Sequence, residues 1–430
     1  MSSFVIPKTE GDTSWFIKDR FGMFIHFGLY ALPARHEWCK TRLGIPEEHY
    51  QKYFELFDPD LFDASEWAKK AKAAGMKYVV LTTKHHEGFC LFDSKYTDYK
   101  ITNTPFGRDL VKEFCDACRA EGLKVGFYYS LLDWHHPDYI IDVIHPLRNN
   151  PDAPEMNKKR DMKKYAEYMR NQITELLTNY GKIHSLWFDF SFTDFNLDGN
   201  PYNLPSRKDN ESWESEKLLK TVRSLQPDII INNRTMIDQD FVTPEQYQPT
   251  EWIRNEKTGE LLVWEACQTF SGSWGYHRDE NTWKSNEQLL SMLITSVSCG
   301  GNLILNVGPT ARGNFDYRAD SALEKIGEWM KYNSRSIYDC TMAEPEFKAP
   351  SGCKLTQSSD GKRLYIHIFE YPSFGLTMED MKDKVYYAQF LHDASEIEYA
   401  DSQQKENAVE FKIPTLKPNQ TIPVIEIILK

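Results

Sequence analysis

The chain has 430 residues, enough for one large domain and a smaller one, and 41% of them are hydrophobic, enough for a substantial core. Its formal net charge of -12 argues against nucleic acid or an anionic membrane as the main partner, because both need a basic footprint. A neutral ligand is compatible with that charge, and an aromatic share of 14% suits stacking on flat apolar faces, sugar rings among them.

The N-terminal stretch "MSSFVIPKTEGDTSWFIKDRFG" has no basic segment followed by an apolar one, so no signal peptide is expected. No run of about 18 apolar residues predicts a membrane span. The stretch "FGMFIHFG" (21–28) predicts a strand, and "DASEWAKKAKAAG" (63–75) a helix capped by Asp63 or Ser65 and ended at Gly75. The β-branched run 77–86 reads as a strand, 107–122 as a helix and 124–134 as a strand. A long amphipathic helix (158–181) precedes the strand "IHSLWFDF" (183–190). A helix (215–228), strands at 229–234 and 261–269, a helix (285–301), a strand (302–309) and a helix near 317–334 follow.

This alternation implies parallel strands with helical crossovers. Seven strand candidates before residue 310 favour a closed (β/α)8-like TIM barrel over an open sheet, with the catalytic domain at 1–339. From 340 to 430 the pattern changes to alternating strands with turns such as Asp360-Gly361, which predicts a small antiparallel domain. The Asn-, Asp-, Gly- and Pro-rich loop 191–210 is expected to lie over one barrel face. No glycine-rich phosphate motif follows the first strand, so nucleotide binding has no support. The eight cysteines are scattered. Cys115 and Cys118 lack a second pair at zinc-site spacing, and free thiols in a reducing compartment fit best.

In such a barrel the reactive groups sit at the C-terminal strand ends. The polar residues there are His26, with Glu37 and Trp38 in the following loop, then His85 and His86, then Tyr128, Tyr129, Asp133 and Trp134. Trp187, Asp189, Arg234, Glu245, Glu265 and Trp274 come after them. Each has a structural alternative. A lone strand-end histidine is more often a satisfied core group, Arg234 would serve in an ion pair, and Glu245 would be an exposed loop charge. His85 and His86 are adjacent on a strand, where neighbours point to opposite faces, so the pair is not expected to grip one metal ion. Asp189 is the hardest to dismiss. Among Leu186, Trp187, Phe188 and Phe190 an unpaired carboxylate is costly, which points to function. A carboxylate at a barrel mouth, with others on later loops and many Trp, His and Tyr, suits glycoside hydrolysis by two carboxyl groups.

Taken in order over residues 14–340, several stretches resemble glycoside hydrolase family 29, the α-L-fucosidases. They include "WFIKDRFGMFIHFGLYALPARHEW", "GMKYVVLTTKHHEGFCLFDS", "LWFDF", "IINNR", "DFVTPEQ", "WEACQTFSGSWGY" and "GGNLILNVGPTARG". The resemblance implies a slightly irregular (β/α)-barrel followed by a small C-terminal β-sandwich, and no cofactor or metal. It implies a retaining double displacement on terminal α-L-fucosyl groups with Asp189 as nucleophile. Glu245, eleven positions past Arg234, is the expected acid/base, with Glu265 as runner-up and Glu251 third. His26, Glu37, Trp38, His85 and His86 match the family's hydroxyl-binding cluster. Tyr129 matches a pocket tyrosine, with Tyr128 as the second choice. Trp187 and Trp274 match aromatic residues around the sugar, and Arg234 an arginine beside the nucleophile.

The expected partner is therefore a fucosylated oligosaccharide or glycoconjugate. A glycosidase for a related sugar, such as an α-L-galactoside, and a fucose-binding lectin-like protein without turnover are the alternatives. Linkage preference is left open, as is oligomeric state, a homo-oligomer included. A cytoplasmic enzyme of bacterial type is expected from the absence of a leader.

Overall fold

The computed structural model describes residues 4–191 and 200–430. Seven parallel strands form its centre: β1 (Phe21–Ile25), β2 (Tyr78–Lys84), β3 (Lys124–Ser130), β4 (Ser185–Asp189), β5 (Ile230–Ile231), β6 (Glu265–Thr269) and β7 (Asn302–Val307). They pair in the order β5-β4-β3-β2-β1-β7-β6. Almost every strand residue is buried, because crossover helices cover the outer face and side chains fill the inner one.

Cap chemistry sets where the helices begin. Asp63, not Ser65, caps Ala64–Ala73, its carboxylate accepting the N–H groups of Ser65 and Glu66. The helix expected from 107 begins at Leu110 behind Asp109, and the one expected from 158 begins at Met162 behind Asp161. Ser285 and Gln288 form a reciprocal capping box at the head of Asn286–Ser298.

The curled sheet departs from expectation between its two edges. The strand expected at 229–234 stops at Ile231, and the chain turns through Asn233–Thr235. The strand expected at 261–269 begins only at Glu265. A segment at 240–246 fills the gap. Asp240 N–H donates to the Ile231 carbonyl at 3.0 Å, and Asn233 N–H to the Phe241 carbonyl at 3.1 Å. On its other side Val242 and Val263, Glu265 and Val242, and Cys267 and Pro244 are joined by N–H···O bonds of 3.0 Å each. The parallel bridges Asn232–Phe241, Val242–Trp264 and Glu245–Cys267 complete the ring. Pro244 has no N–H to donate, so this eighth wall does not become a regular strand.

Residue parity decides what faces the axis. Phe24, Tyr78, Val80, Tyr128, Trp187, Ile230, Cys267 and Ile304 form an inner cluster distinct from the shell between strands and helices. Tyr128 lies opposite Trp187, and Ser130 opposite Asp189. Near the narrow end a Cβ on Gly126 would sit 2.2 Å from the Ser185 Oγ, so the barrel closes there only around glycine.

After the helix Tyr317–Asn333 the chain builds two antiparallel sheets. Cys340–Met342, Cys353–Ser358, Arg363–Ile368, Val385–Phe390 and Val424–Leu429 make the larger one. Leu376–Met378, Tyr399–Asp401 and Val409–Phe411 make the smaller. Ile366, Ile425 and Ile427 face the small sheet, with Met378, Val409 and Phe411 opposite, while Tyr365 and Val424 join the barrel's own core. Trp329 Nε1 donates to the Ile422 carbonyl at 2.8 Å across that junction. All eight cysteines are free thiols. Among the described residues no helix is long and apolar enough to cross a membrane. Of the loop expected over the barrel face, positions 192–199 lie outside the described residues.

Asp240 clasps the seam. Its carboxylate accepts N–H groups from Gly11 at 2.7 Å and Ile231 at 2.8 Å, and pairs with Arg223 at 2.6 Å, all at a buried position. Asp240→Ala leaves two amides without partners and takes from Arg223 its buried carboxylate. It is expected to cost about 3–5 kcal/mol, read as a lower urea midpoint in circular dichroism. A shift worth less than about 1 kcal/mol would show that the seam is held elsewhere.

Candidate active site

A pocket of about 390 Å³ opens at the C-terminal end of the barrel, and eleven residues singled out from the sequence line it, Tyr128 and ten others. The others are His26, Glu37, Trp38, His85, His86, Trp187, Asp189, Arg234, Glu245 and Trp274. β1 and β2 end just before His26 and His85, and β4 ends on Asp189.

The paradox of Asp189 resolves at this point. It is not among hydrophobic groups but at the rim, 13% exposed and fully partnered. Arg234 Nη1 donates to its Oδ1 at 2.8 Å, and the Tyr128 hydroxyl to its Oδ2 at 2.7 Å. The other end of the same guanidinium, Nη2, donates to Glu245 Oε2 at 2.7 Å. Arg234 Nε is fixed by Thr243 Oγ1 at 2.9 Å, and the guanidinium lies over the Trp187 ring at 4.5 Å. Burial works against the charge of Arg234, but Asp189 and its other acidic neighbours more than offset this and raise its pKa.

The histidines are neutral. Burial pushes His26 and His86 down to about 3 and His85 well below its ordinary value. Their tautomers follow from the network. Ser130 Oγ donates its one hydrogen to the Leu132 carbonyl, so it accepts from His86 Nδ1 at 2.7 Å. His86 Nε2 is then a bare acceptor, 3.8 Å from Asp189 Oδ2. Asn306 Nδ2 donates to the Trp274 carbonyl, so its Oδ1 accepts from His26 Nδ1 at 2.6 Å and leaves His26 Nε2 as an acceptor too. His85 Nδ1 is buried with no hydrogen-bond partner among the described residues. Glu37 Oε2 takes the N–H groups of Trp274 and Gly275 at 3.2 and 2.9 Å, and burial raises the pKa of its carboxyl. The site therefore presents several hydrogen-bond acceptors between aromatic walls, beside two carboxylates on one guanidinium.

A family model described as alpha-L-fucosidase matches residues 8–335. The chain belongs to the α-L-fucosidases. It is a glycoside hydrolase of family 29, and its substrate is a fucosylated glycan. The α-L-fucosidase of Dictyostelium discoideum is 29% identical over 391 residues, covering 84% of this chain and 79% of that one. The solved α-L-fucosidase isoenzyme 1 from Paenibacillus thiaminolyticus superposes with a TM-score of 0.90 at 43% identity, over 97% of this chain and 98% of that one. A Bacteroides thetaiotaomicron α-L-fucosidase, solved as a trapped covalent intermediate with 2-fluoro-fucosyl fluoride, gives a TM-score of 0.83 at 27% identity. The match covers 99% of this chain and 98% of that one.

Asp133, buried in an ion pair with Lys84 at 3.0 Å, and Trp134, packed against the Trp38 ring, do not line the pocket, and three more residues named from the sequence lie elsewhere. Tyr129 faces outward, its hydroxyl donating to Gln172 Oε1 at 2.7 Å, and Tyr128 occupies the pocket. The parity of Trp187 and Asp189, whose β3 neighbours are Tyr128 and Ser130, is the signal that separates the two. Glu265 begins β6 at the narrow end and accepts from the Tyr78 hydroxyl at 2.5 Å, beneath the pocket rather than in it. Glu251 is exposed near Cys299, which follows the helix leading into β7, again at the far end. His85 and His86 do share one face. β2 ends at Lys84 and the chain turns with Gly88 N–H donating to the His85 carbonyl at 3.0 Å, so strand alternation no longer applies. Phe24 and Phe190 also line the pocket and were not anticipated. Phe190 has φ 79°, an uncommon conformation for a bulky residue immediately after Asp189. Its ring lies 5.5 Å from those of Trp38 and His86.

Burial raises the Glu265 carboxyl to about 8, against the pull of the Tyr78 hydrogen bond. The folded protein then keeps a proton that the unfolded chain loses near pH 4.5. The stability linked to that proton is present in full below the unfolded value and is lost as pH rises through about 8. Glu265→Gln keeps the site neutral at every pH. Its melting temperature is expected to fall less than the parent's between about pH 5 and pH 8, as differential scanning calorimetry would show. Parallel curves for the two proteins would refute the assignment.

Proposed function

We propose that the enzyme releases terminal α-L-fucosyl groups with retention of configuration, through a covalent fucosyl-enzyme on Asp189. The observation that carries this reading is the Arg234 bridge, which holds Asp189 and Glu245 at the two ends of one guanidinium across the pocket. Two carboxyl groups held close together suit a nucleophile and an acid/base.

In the first step an Asp189 oxygen attacks the anomeric carbon. The bond to the aglycone oxygen breaks, and that oxygen takes a proton from Glu245. In the second step Glu245 removes a proton from water, whose oxygen attacks the same carbon and releases Asp189. Before donating, Glu245 must give up its ion pair with Arg234, and the entering glycosidic oxygen is the group that replaces it. Glu245 is 40% exposed, so it can move. Arg234 and Tyr128 hold Asp189 in place throughout. The sugar hydroxyls donate to His26 Nε2, His86 Nε2 and Glu37, with His85 and Trp38 beside them. Trp187, Trp274 and Phe24 cover the ring C–H surface and the C5 methyl. The trapped covalent intermediate of the Bacteroides relative supports a glycosyl-enzyme in this family.

Asp189→Gly is expected to lower kcat on an aryl α-L-fucoside by about three orders of magnitude or more. Azide should then attack from the vacated side and yield β-fucosyl azide, as NMR would show. Glu245→Ala should slow glycosides with poor leaving groups by about 10²–10⁴-fold, spare activated aryl fucosides, and yield α-fucosyl azide. The reverse pairing of products, near-normal turnover of the aryl fucoside by Asp189→Gly, or near-normal turnover of glycosides with poor leaving groups by Glu245→Ala would sink the assignment.

A further inference from the structure

The sugar pocket opens into an outer cleft of about 1290 Å³ that shares Glu37, Trp38, Phe190, Glu245 and Trp274 with it. Because Glu245 stands on the boundary, a leaving group protonated there extends into this cleft. The cleft adds two cations to its wall. Arg148 is pinned, its Nη1 donating to Thr41 Oγ1 and the His145 carbonyl and its Nη2 to the Thr41 carbonyl. Arg42 is exposed and sits 5.8 Å over the Trp38 ring. Among the described residues neither guanidinium reaches a carboxylate.

The acidic groups nearest the cleft bond elsewhere, although Glu37 lies close enough to feel the charge of Arg42 and Glu280 is held behind the wall by Ser273 and Thr282. Glu245 is matched by Arg234, and Glu37 is buried on two backbone N–H groups. His36 adds no positive charge, because burial and the nearby Arg42 push it down to about 4. Among the described residues the cleft wall thus carries two guanidinium groups with no carboxylate bonded to them, on a chain of net charge -12. Arginine forks fit carboxylate and sulfate oxygens in pairs, and a cation set on an aromatic face and another held by backbone carbonyls lose little freedom on binding.

We infer that the outer cleft is an aglycone subsite that favours a negatively charged sugar, carboxylated or sulfated, next to the fucose. This rests on the reading that the fucosyl group occupies the pocket at Asp189 and the leaving group faces Glu245.

The test compares kcat/KM of the full chain on three fucosylated oligosaccharides of one linkage, with a neutral, a carboxylated and a sulfated aglycone, alongside an aryl α-L-fucoside. The better acidic substrate is expected to exceed the neutral one by about three- to tenfold at low salt. The advantage should shrink toward parity in about 0.5 M sodium chloride, and the leading acidic arm identifies the anion. Arg42→Gln should bring the ratio close to one and Arg42→Glu below one. Aryl fucoside cleavage with a ratio at or below one in the parent, or a ratio unchanged by Arg42→Gln, overturns the subsite and leaves the fucosidase mechanism standing. An enzyme that cleaves no α-L-fucoside overturns both.

Discussion

The site is organised around one guanidinium. Arg234 touches the end of β4 through Asp189, the seam through Thr243 and Glu245, and the barrel interior through the face of Trp187. It can do this because a guanidinium is planar and presents donors in several fixed directions. A lysine ammonium offers a single point charge on a flexible stem. The early end of β5 matters for the same reason. Had the strand continued through Arg234, the side chain would have followed strand alternation, whereas the turn at Asn233–Thr235 sets it free of that constraint.

The barrel axis is layered by polarity. At the narrow end Tyr78, Glu265 and Asn302 form a small hydrogen-bonded set around a carboxyl that stays protonated at neutral pH. Phe24, Trp187 and Ile304 lie in an apolar layer, and the neutral histidines and partnered carboxylates lie at the mouth. Each buried polar group is tolerated because it is either uncharged or paired. His26 and His86 also hold their hydrogens toward the protein and their lone pairs toward the ligand. On the proposed function, the pocket would recognise a sugar largely through the hydroxyl protons that the sugar donates.

Much of this could be read from the chain alone where a pattern repeats. Buried strands bounded by capped helices give the alternation its period, and polar residues just past the apolar runs mark the mouth. What escaped was set by choices of a single residue. Tyr128 and Tyr129 are chemically identical candidates, and only the register against Trp187 and Asp189 separates them. His85 and His86 looked opposed because the end of β2 falls at Lys84, a boundary that the β-branched run does not announce. Glu265 sits in an apolar strand context much like that of Asp189, but at the other end of its strand. Which end faces the mouth is a property of where the strand starts. Phe190 owes its place to a left-handed backbone that its residue type does not suggest.

The seam at 240–246 has a further consequence. β2, β3, β4, β5 and β7 each follow a packed helix, so a change in length there would displace both. The seam hangs between two edges by a few backbone bonds and is joined to β5 by a short turn, with no helix of its own. Only the turn at 236–239, which lies between Arg234 and the buried Asp240, can gain or lose residues while the strand that carries Asp189 keeps its register. The two carboxylates of the proposed pair thus differ in mounting: Asp189 ends a central strand, and Glu245 sits on a seam whose approach from β5 is a short surface turn that tolerates changes of length.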